Sequence, residues 1–245
     1  MCSNDCVLLQ VIDNLFSSCA KRARIWPYLN GRQPLEQDKY EEIASRLDRT
    51  ETSSSRQVRS QIDKDVRRTP QSNKQAGRRR LTRLLYAFAS ARPEIGYCQG
   101  INYLAAIILS QVQQEERVLS VLLNLSDILP MYWHPSLEGT RQDTLLFQHL
   151  LRENLPSLAA HFDSIGIDVN HLVMPWFLCA FTSTLPMDHA VALIDLMLLE
   201  ESRAILFRVS LELFRYHETQ LIQNLDGIEV MKTVMSLPSD PPSVE

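Results

Sequence analysis

Residues 81–102 read LTRLLYAFASARPEIGYCQGIN. Leu81, Leu84, Leu85, Phe88 and Ala89 recur at spacings of three and four, the period that lines one face of an α-helix. Pro93 and Gly96 interrupt the pattern, and an apolar run resumes at Ile101. The stretch therefore reads as helix, turn, helix, with the second helix opening near Gln99 or Gly100. The two glycines account for a turn but not for Gln99, a polar side chain placed where it can reach outward. Gly100, with no Cβ, leaves room for another group to approach the backbone closely. Taken alone, Gln99 reads as a residue capping a helix.

The same period recurs outward from this stretch. Leu145, Leu146, His149 and Leu150 form one stripe, and Ile205, Leu206, Val209, Leu213 and Phe214 another. Helices are expected over 5–18, 22–29, 36–48, 57–66, 73–91, 99–112, 115–129, 141–164 with a break at Pro156, 170–184, 188–223 broken near 200, and 227–235. No run of alternating strands with hairpin turns is visible, and no repeat of fixed period. The expected fold is all-α, with two helical lobes meeting near the PMYWHP break at 130–135. That assigns residues 1–19 to an N-terminal helix, 20–235 to one domain with lobes of about 20–135 and 136–235, and 236–245 to a disordered tail. Trp26, Trp133 and Trp176 are expected in the core.

The chain has 245 residues, 45% of them hydrophobic, enough for a sizeable core. Its five cysteines, Cys2, Cys6, Cys19, Cys98 and Cys179, include no CxxC pair, and its six histidines never stand at a ligand spacing. Neither a disulfide framework nor a zinc site is indicated, which fits a reducing cytoplasmic setting. The apolar runs Leu104–Leu109 and Val173–Phe181 are too short for a membrane span, and MCSNDCVLLQ lacks the basic start of a secretory signal.

The formal charge is −4, unevenly placed. Between Arg56 and Arg83 stand ten basic residues and only two acidic ones, Asp63 and Asp65. Such a field suggests an anionic partner or a solvated helix face. Nucleic acid is a weak match, because aromatics are not interleaved with the basic residues. Within the segment, Ile62, Asp65 and Arg68 stand three apart, so they are neighbours on one helix face. Asp65 can hold Arg68 by a charge-assisted hydrogen bond, and Pro70 ends the helix near Arg68. By itself the pair reads as a surface salt bridge of about 0–1 kcal/mol.

Ile62, Asp65 and Arg68, followed by Tyr97, Gln99, Gly100 and Asn102, give IxxDxxR and then YxQGxN. The pairing resembles the signature of the TBC-domain family, GTPase-activating proteins of Rab-type small GTPases. RARIWPYLNG at 22–31, WFLCAFTSTLP at 176–186 and LFRVSLELF at 206–214 are similar to other family segments. The resemblance implies that Arg68 acts as an arginine finger, and that Gln99 acts as a glutamine finger orienting the attacking water. Asp65, Tyr97, Gly100 and Asn102 would position them, and Arg67, Arg78, Arg79 and Arg80 are candidates for contact with the partner. GTP and Mg would belong to the GTPase, so no cofactor of the chain's own is expected. The partner would be a Rab-type GTPase in its GTP form, and any peripheral residence on endomembranes would come through that partner. The sequence departs from the family pattern in three places: Thr69 and Pro70 are adjacent, Ile194 stands where Trp is usual, and EESR at 200–203 lacks a glycine. These departures leave open a second reading, a catalytically weak TBC scaffold that binds a small GTPase or a larger complex.

Overall fold

Capping chemistry and proline set several of the helix boundaries. The computed structural model describes residues 18–31, 33–49, 52–70 and 75–237, and there it is built from helices with no strand. Ser18 opens α1 (Cys19–Ile25), its hydroxyl accepting from the Lys21 amide. A 3-10 segment, Trp26–Gly31, follows, and then α2 (Gln37–Arg49). In α3 (Ser53–Arg68), Thr52 and Ser55 satisfy each other's backbone amides as a capping box. Then come α4 (Gln75–Ala91), α5 (Ile101–Gln111) and α6 (Glu115–Ile128). The second half holds α7 (Glu138–Asn154), α8 (Pro156–Ser164), α9 (Val169–Leu178), α10 (Met187–Glu200), α11 (Ala204–Gln223) and α12 (Gly227–Ser236). Pro156 takes the first position of α8, so the expected break in 141–164 is real. The expected break near 200 falls at Glu201, which is left-handed with φ 49°. The helix expected over 5–18 lies outside the described residues except Ser18, as does the tail expected from 236, of which Ser236 and Leu237 alone are described and close α12.

The hydrophobic stripes meet in one continuous core. Helices α1 to α6 pack mainly on one another, with α4 between α2, α3, α5 and α6. Helices α7, α8, α9 and α11 form a second group, and α12 rests on α9. Helix α10 touches both, lying on the 3-10 segment, α5 and α6 and also on α11. Trp26, Trp133 and Trp176 are buried, as expected. Phe214 sits among Phe147, Phe162 and Trp176, with ring centroids 5.5–5.8 Å apart.

Three elements differ from expectation. The helix expected over 22–29 ends at Ile25, where the 3-10 segment takes over and Leu29 (ψ 153°) and Asn30 (φ 65°) leave helical geometry. The helix expected over 170–184 ends at Leu178, and residues 179–184 form turns in which Ala180 and Phe181 take φ of 44° and 58°. Phe181 is fully buried, and its amide donates 2.7 Å to the Trp176 carbonyl, which holds this unfavourable backbone in place. In α7, Leu145 and Leu146 are exposed, while Thr140, Asp143, Thr144, Phe147 and Leu151 face inward. The polar members of that inner face have partners: Asp143 accepts from the Tyr132 hydroxyl at 2.6 Å and pairs with Arg203, and the Thr140 hydroxyl donates to the Tyr132 carbonyl.

Candidate functional site

Arg68 lies in the last turn of α3, and Thr69 caps that helix in an extended conformation, φ −79° and ψ 116°, which the following proline favours. Asp65, one turn earlier, is almost fully buried. One oxygen, Oδ1, is 2.7 Å from Nη2 of Arg68, whose own side chain is 51% exposed. The other, Oδ2, accepts from the Tyr97 hydroxyl at 2.8 Å. The carboxylate thus spans two elements, the end of α3 and the loop before α5. Burial, and then the bond to Asp65, push the Tyr97 phenol well above its usual range, so it stays a donor at physiological pH.

A second set of bonds runs beneath the first. Asn102, fully buried in the first turn of α5, donates from Nδ2 to the Thr69 hydroxyl at 2.9 Å. Its Oδ1 accepts from the Gly100 amide at 3.0 Å. The Thr69 hydroxyl in turn donates to the Asp65 carbonyl at 2.8 Å. Every buried polar group named here has a partner, which is the condition for such a network to rigidify rather than destabilise. The end of α3 is therefore tied at two levels to the loop that carries Gln99.

Gln99 itself precedes the helix. The expected start near Gln99 moves to Ile101, with Gly100 at the N-cap and no side-chain cap. Gln99 is exposed, and its amide makes no hydrogen bond to another described residue. It does not cap the helix. Gly100 is explained differently from the expectation. Its φ is 119°, and a Cβ there would lie 3.1 Å from the Leu178 carbonyl oxygen and 3.2 Å from Sγ of Cys179. The close approach is made by this chain's own α9 end, not left open to another molecule. The same Leu178 carbonyl accepts from the Trp133 indole at 2.9 Å. Beside it, burial together with the neighbouring Cys179 and Asp65 pushes the Cys98 thiol up to about 11.

The remaining basic candidates separate. Arg67, Arg78 and Arg79 are exposed. Arg80 turns the other way, onto Glu115 at 3.2 Å and the Gln113 carbonyl. Arg83 bridges Glu41 and Glu115 at 2.6 and 2.9 Å. The structure brings Asp65, Arg68, Tyr97, Gly100 and Asn102 into one connected site beside Gln99, and places Arg80 in packing between α4 and α6. Sequence reasoning missed Thr69 as a member. Its signal is a hydroxyl at a helix end, four residues after a carbonyl it can reach. It also missed the Leu178 carbonyl, which has no sequence signal. Among the described residues no group of His, Cys, Asp or Glu side chains forms a metal site. What the site can do chemically is present a steadied guanidinium and an unpartnered amide toward something outside the chain.

Residues 19–222 match the family model described as the Rab-GTPase-TBC domain. A TBC domain-containing protein of Schizosaccharomyces pombe is 32% identical over 221 residues, covering 87% of this chain and 28% of that protein. The human protein named Small G protein signaling modulator 3 is 31% identical over 228 residues, covering 89% of this chain and 30% of its own length. The chain thus spans less than a third of these relatives. The crystal structure of a Chlamydomonas flagellar RabGAP TBC domain shares the fold, with TM-score 0.77, 22% identity, and coverage of 98% of this chain and 81% of that one.

Proposed function

This chain belongs to the Rab-GTPase-TBC domain family, and from that premise we propose that it accelerates GTP hydrolysis by a Rab-type small GTPase, with Arg68 and Gln99 as the two groups inserted into the partner's nucleotide site. The partner brings GTP and Mg. Its own hydrolysis is slow because charge building on the phosphoryl oxygens is poorly stabilised and the attacking water is poorly held. Arg68 offsets that charge, and Gln99 orients the water. Acceleration of about 10³–10⁵-fold is the usual scale for a supplied arginine, or roughly 4–7 kcal/mol of barrier.

The observation that carries this reading is the link between the two groups. Asp65 holds Arg68 with one oxygen and Tyr97 with the other, and Tyr97 stands two residues before Gln99. A guanidinium fixed at one edge still has most of its five donors to offer. Lysine at position 68 lacks that planar fork. Asp65, Tyr97, Asn102 and Thr69 act as positioning residues, since none of them needs to touch the nucleotide. Gly100 lets the Gln99 loop lie flat on the end of α9.

Single-turnover hydrolysis across a panel of GTP-loaded Rab proteins tests the reading. At least one member should be accelerated by the wild-type chain, and that acceleration should vanish with Arg68→Ala. A Rab that binds equally well in both nucleotide states, with no acceleration and no effect of Arg68→Ala, would identify the chain as a scaffold instead.

A further inference from the structure

Arg56, Ser60, Asp63 and Arg67 are spaced by four, three and four residues, so they run as one line along the outer face of α3. The two arginines at its ends stand roughly 16 Å apart at the rise of an α-helix. Tyr86 of α4 donates its hydroxyl to Asp63 at 3.4 Å, which sets α4 beside that line. Arg79 lies two turns before Tyr86 on α4, on the same flank. Gln75, Arg78, Arg79, Thr82, Arg83 and Tyr86 border a shallow open depression there.

The charge on this face is not cancelled from within. Arg56, Arg67 and Arg79 are exposed, and none has an ion-pair partner among the described residues. Helix α4 contains no acidic residue, and of the two in α3, Asp65 is buried toward Tyr97. Asp63 is the single carboxylate on the line. Arg80 and Arg83 show the contrast: Arg80 turns to the α6 side onto Glu115, and Arg83, at the rim of the depression, is neutralised by Glu41 and Glu115. Arg67 and Arg68 are adjacent in sequence, so they leave α3 about 100° apart. Arg68 turns toward Asp65 and Arg67 does not. Contact along the Arg56–Arg67–Arg79 face therefore leaves the Arg68–Gln99 side open.

We propose that this α3–α4 face is a docking surface for an anionic phospholipid bilayer, made by the chain itself. The arginines are spread along an open face rather than gathered around a closed cavity. That suits a plane of many headgroups better than one phosphate. Tyr86, the aromatic bordering this face, is half-buried and hydrogen-bonded to Asp63, a poor platform for stacking a base, and the overall charge of −4 disfavours a polyanion that would wrap the molecule. Basic side chains near an anionic leaflet act almost independently, each contributing about a fivefold gain in binding.

The test is co-sedimentation of the whole 245-residue chain with vesicles of phosphatidylcholine alone, or with about 30 mol% phosphatidylserine added. No GTPase is in the tube, so the outcome is independent of hydrolysis. The wild type should pellet with the anionic vesicles only, and less so as salt rises from about 0.05 to about 0.2 M. Replacing Arg56, Arg67 and Arg79 together by Gln should weaken binding on the order of 100-fold. Replacing the same three by Lys should retain it, which separates charge from any folding defect. Equal pelleting on neutral vesicles, no pelleting, or a Gln variant that binds like wild type overturns the proposal. So does tighter binding to a short DNA duplex or to soluble polyglutamate than to the anionic vesicle.

Discussion

Asp65 and Asp195 are both buried aspartates, each facing an arginine and an aromatic donor, but they leave very different things over. Asp195 lies fully buried in α10 and takes Arg22 through Nε and Nη2 at 2.8–3.2 Å, with the Trp26 indole donating at 2.7 Å. Arg22 is only 16% exposed and its fork is spent on that carboxylate. The pair joins residues 173 positions apart and clamps α1 to α10. Asp65 takes Arg68 from the same helix, through one nitrogen at 2.7 Å, and leaves half of that side chain in solvent. One arrangement closes the fold and the other presents a cation. The lesson is that an Arg–Asp–aromatic group is not a site in itself; the donors left unspent make the difference.

The sharpest way to break the comparison is to remove each arginine in turn. Arg68→Ala should cost about 10³-fold in stimulated hydrolysis or more, yet destabilise the chain less than Arg22→Ala does, because Arg68 is half in solvent and the buried Asp65 it leaves behind keeps its bond from Tyr97. Urea titration beside the hydrolysis assay checks both. Arg22→Ala should do the reverse. It leaves a buried carboxylate without its cation, a loss of about 3–5 kcal/mol in stability, while the folded fraction keeps its rate per molecule.

Tyr97→Phe tests the bridge between the two fingers. It removes one hydroxyl and should lower stability by about 1–2 kcal/mol. Displacing the Gln99 loop should lower the maximal hydrolysis rate by about 10–100-fold with GTPase affinity kept. A fall in affinity alone would mean that Tyr97 contacts the partner rather than positioning the loop.

The smallest effect concerns pH. Burial raises the Asp195 carboxyl above its ordinary value, although Arg22 and Trp26 pull the other way. The folded chain then keeps that proton to higher pH than the unfolded chain does. Stability from this group falls as pH rises from the unfolded carboxylate range, about 3.9, through the raised folded value. Asp195→Asn removes the titration. The stability difference, wild type minus variant, should shrink across that window in urea titrations at stepped pH. A difference that grows with pH would contradict the burial account.

Much of this was legible in the chain. The stripe from Leu81 to Ala89 gave α4, Pro93 and Gly96 gave the turn, and the spacing of Asp65 and Arg68 gave their contact, because all are local relations within one or two turns. Where the expectation failed, the cause was a partner distant in sequence. Leu145 and Leu146 read as a core stripe, but α7 turns Asp143 and Thr140 inward because Tyr132 and Arg203 satisfy them. Asp195, in a run of aliphatic residues, has no local sign of Arg22. Gly100 signalled a close approach correctly, but only the fold shows that Leu178 makes it. Thr69 stood beside the arginine in plain view, and its role depends on Asn102, thirty-three residues later.

The most direct test of the paired-finger account is single-turnover GTP hydrolysis by the most responsive Rab, at saturating chain concentration, with wild type, Arg68→Ala, Gln99→Ala and the double variant. Groups that act as a unit are strongly non-additive. The account predicts that Gln99→Ala alone falls most of the way to the double variant, as Arg68→Ala does. A Gln99→Ala chain that stimulates hydrolysis like wild type would contradict it.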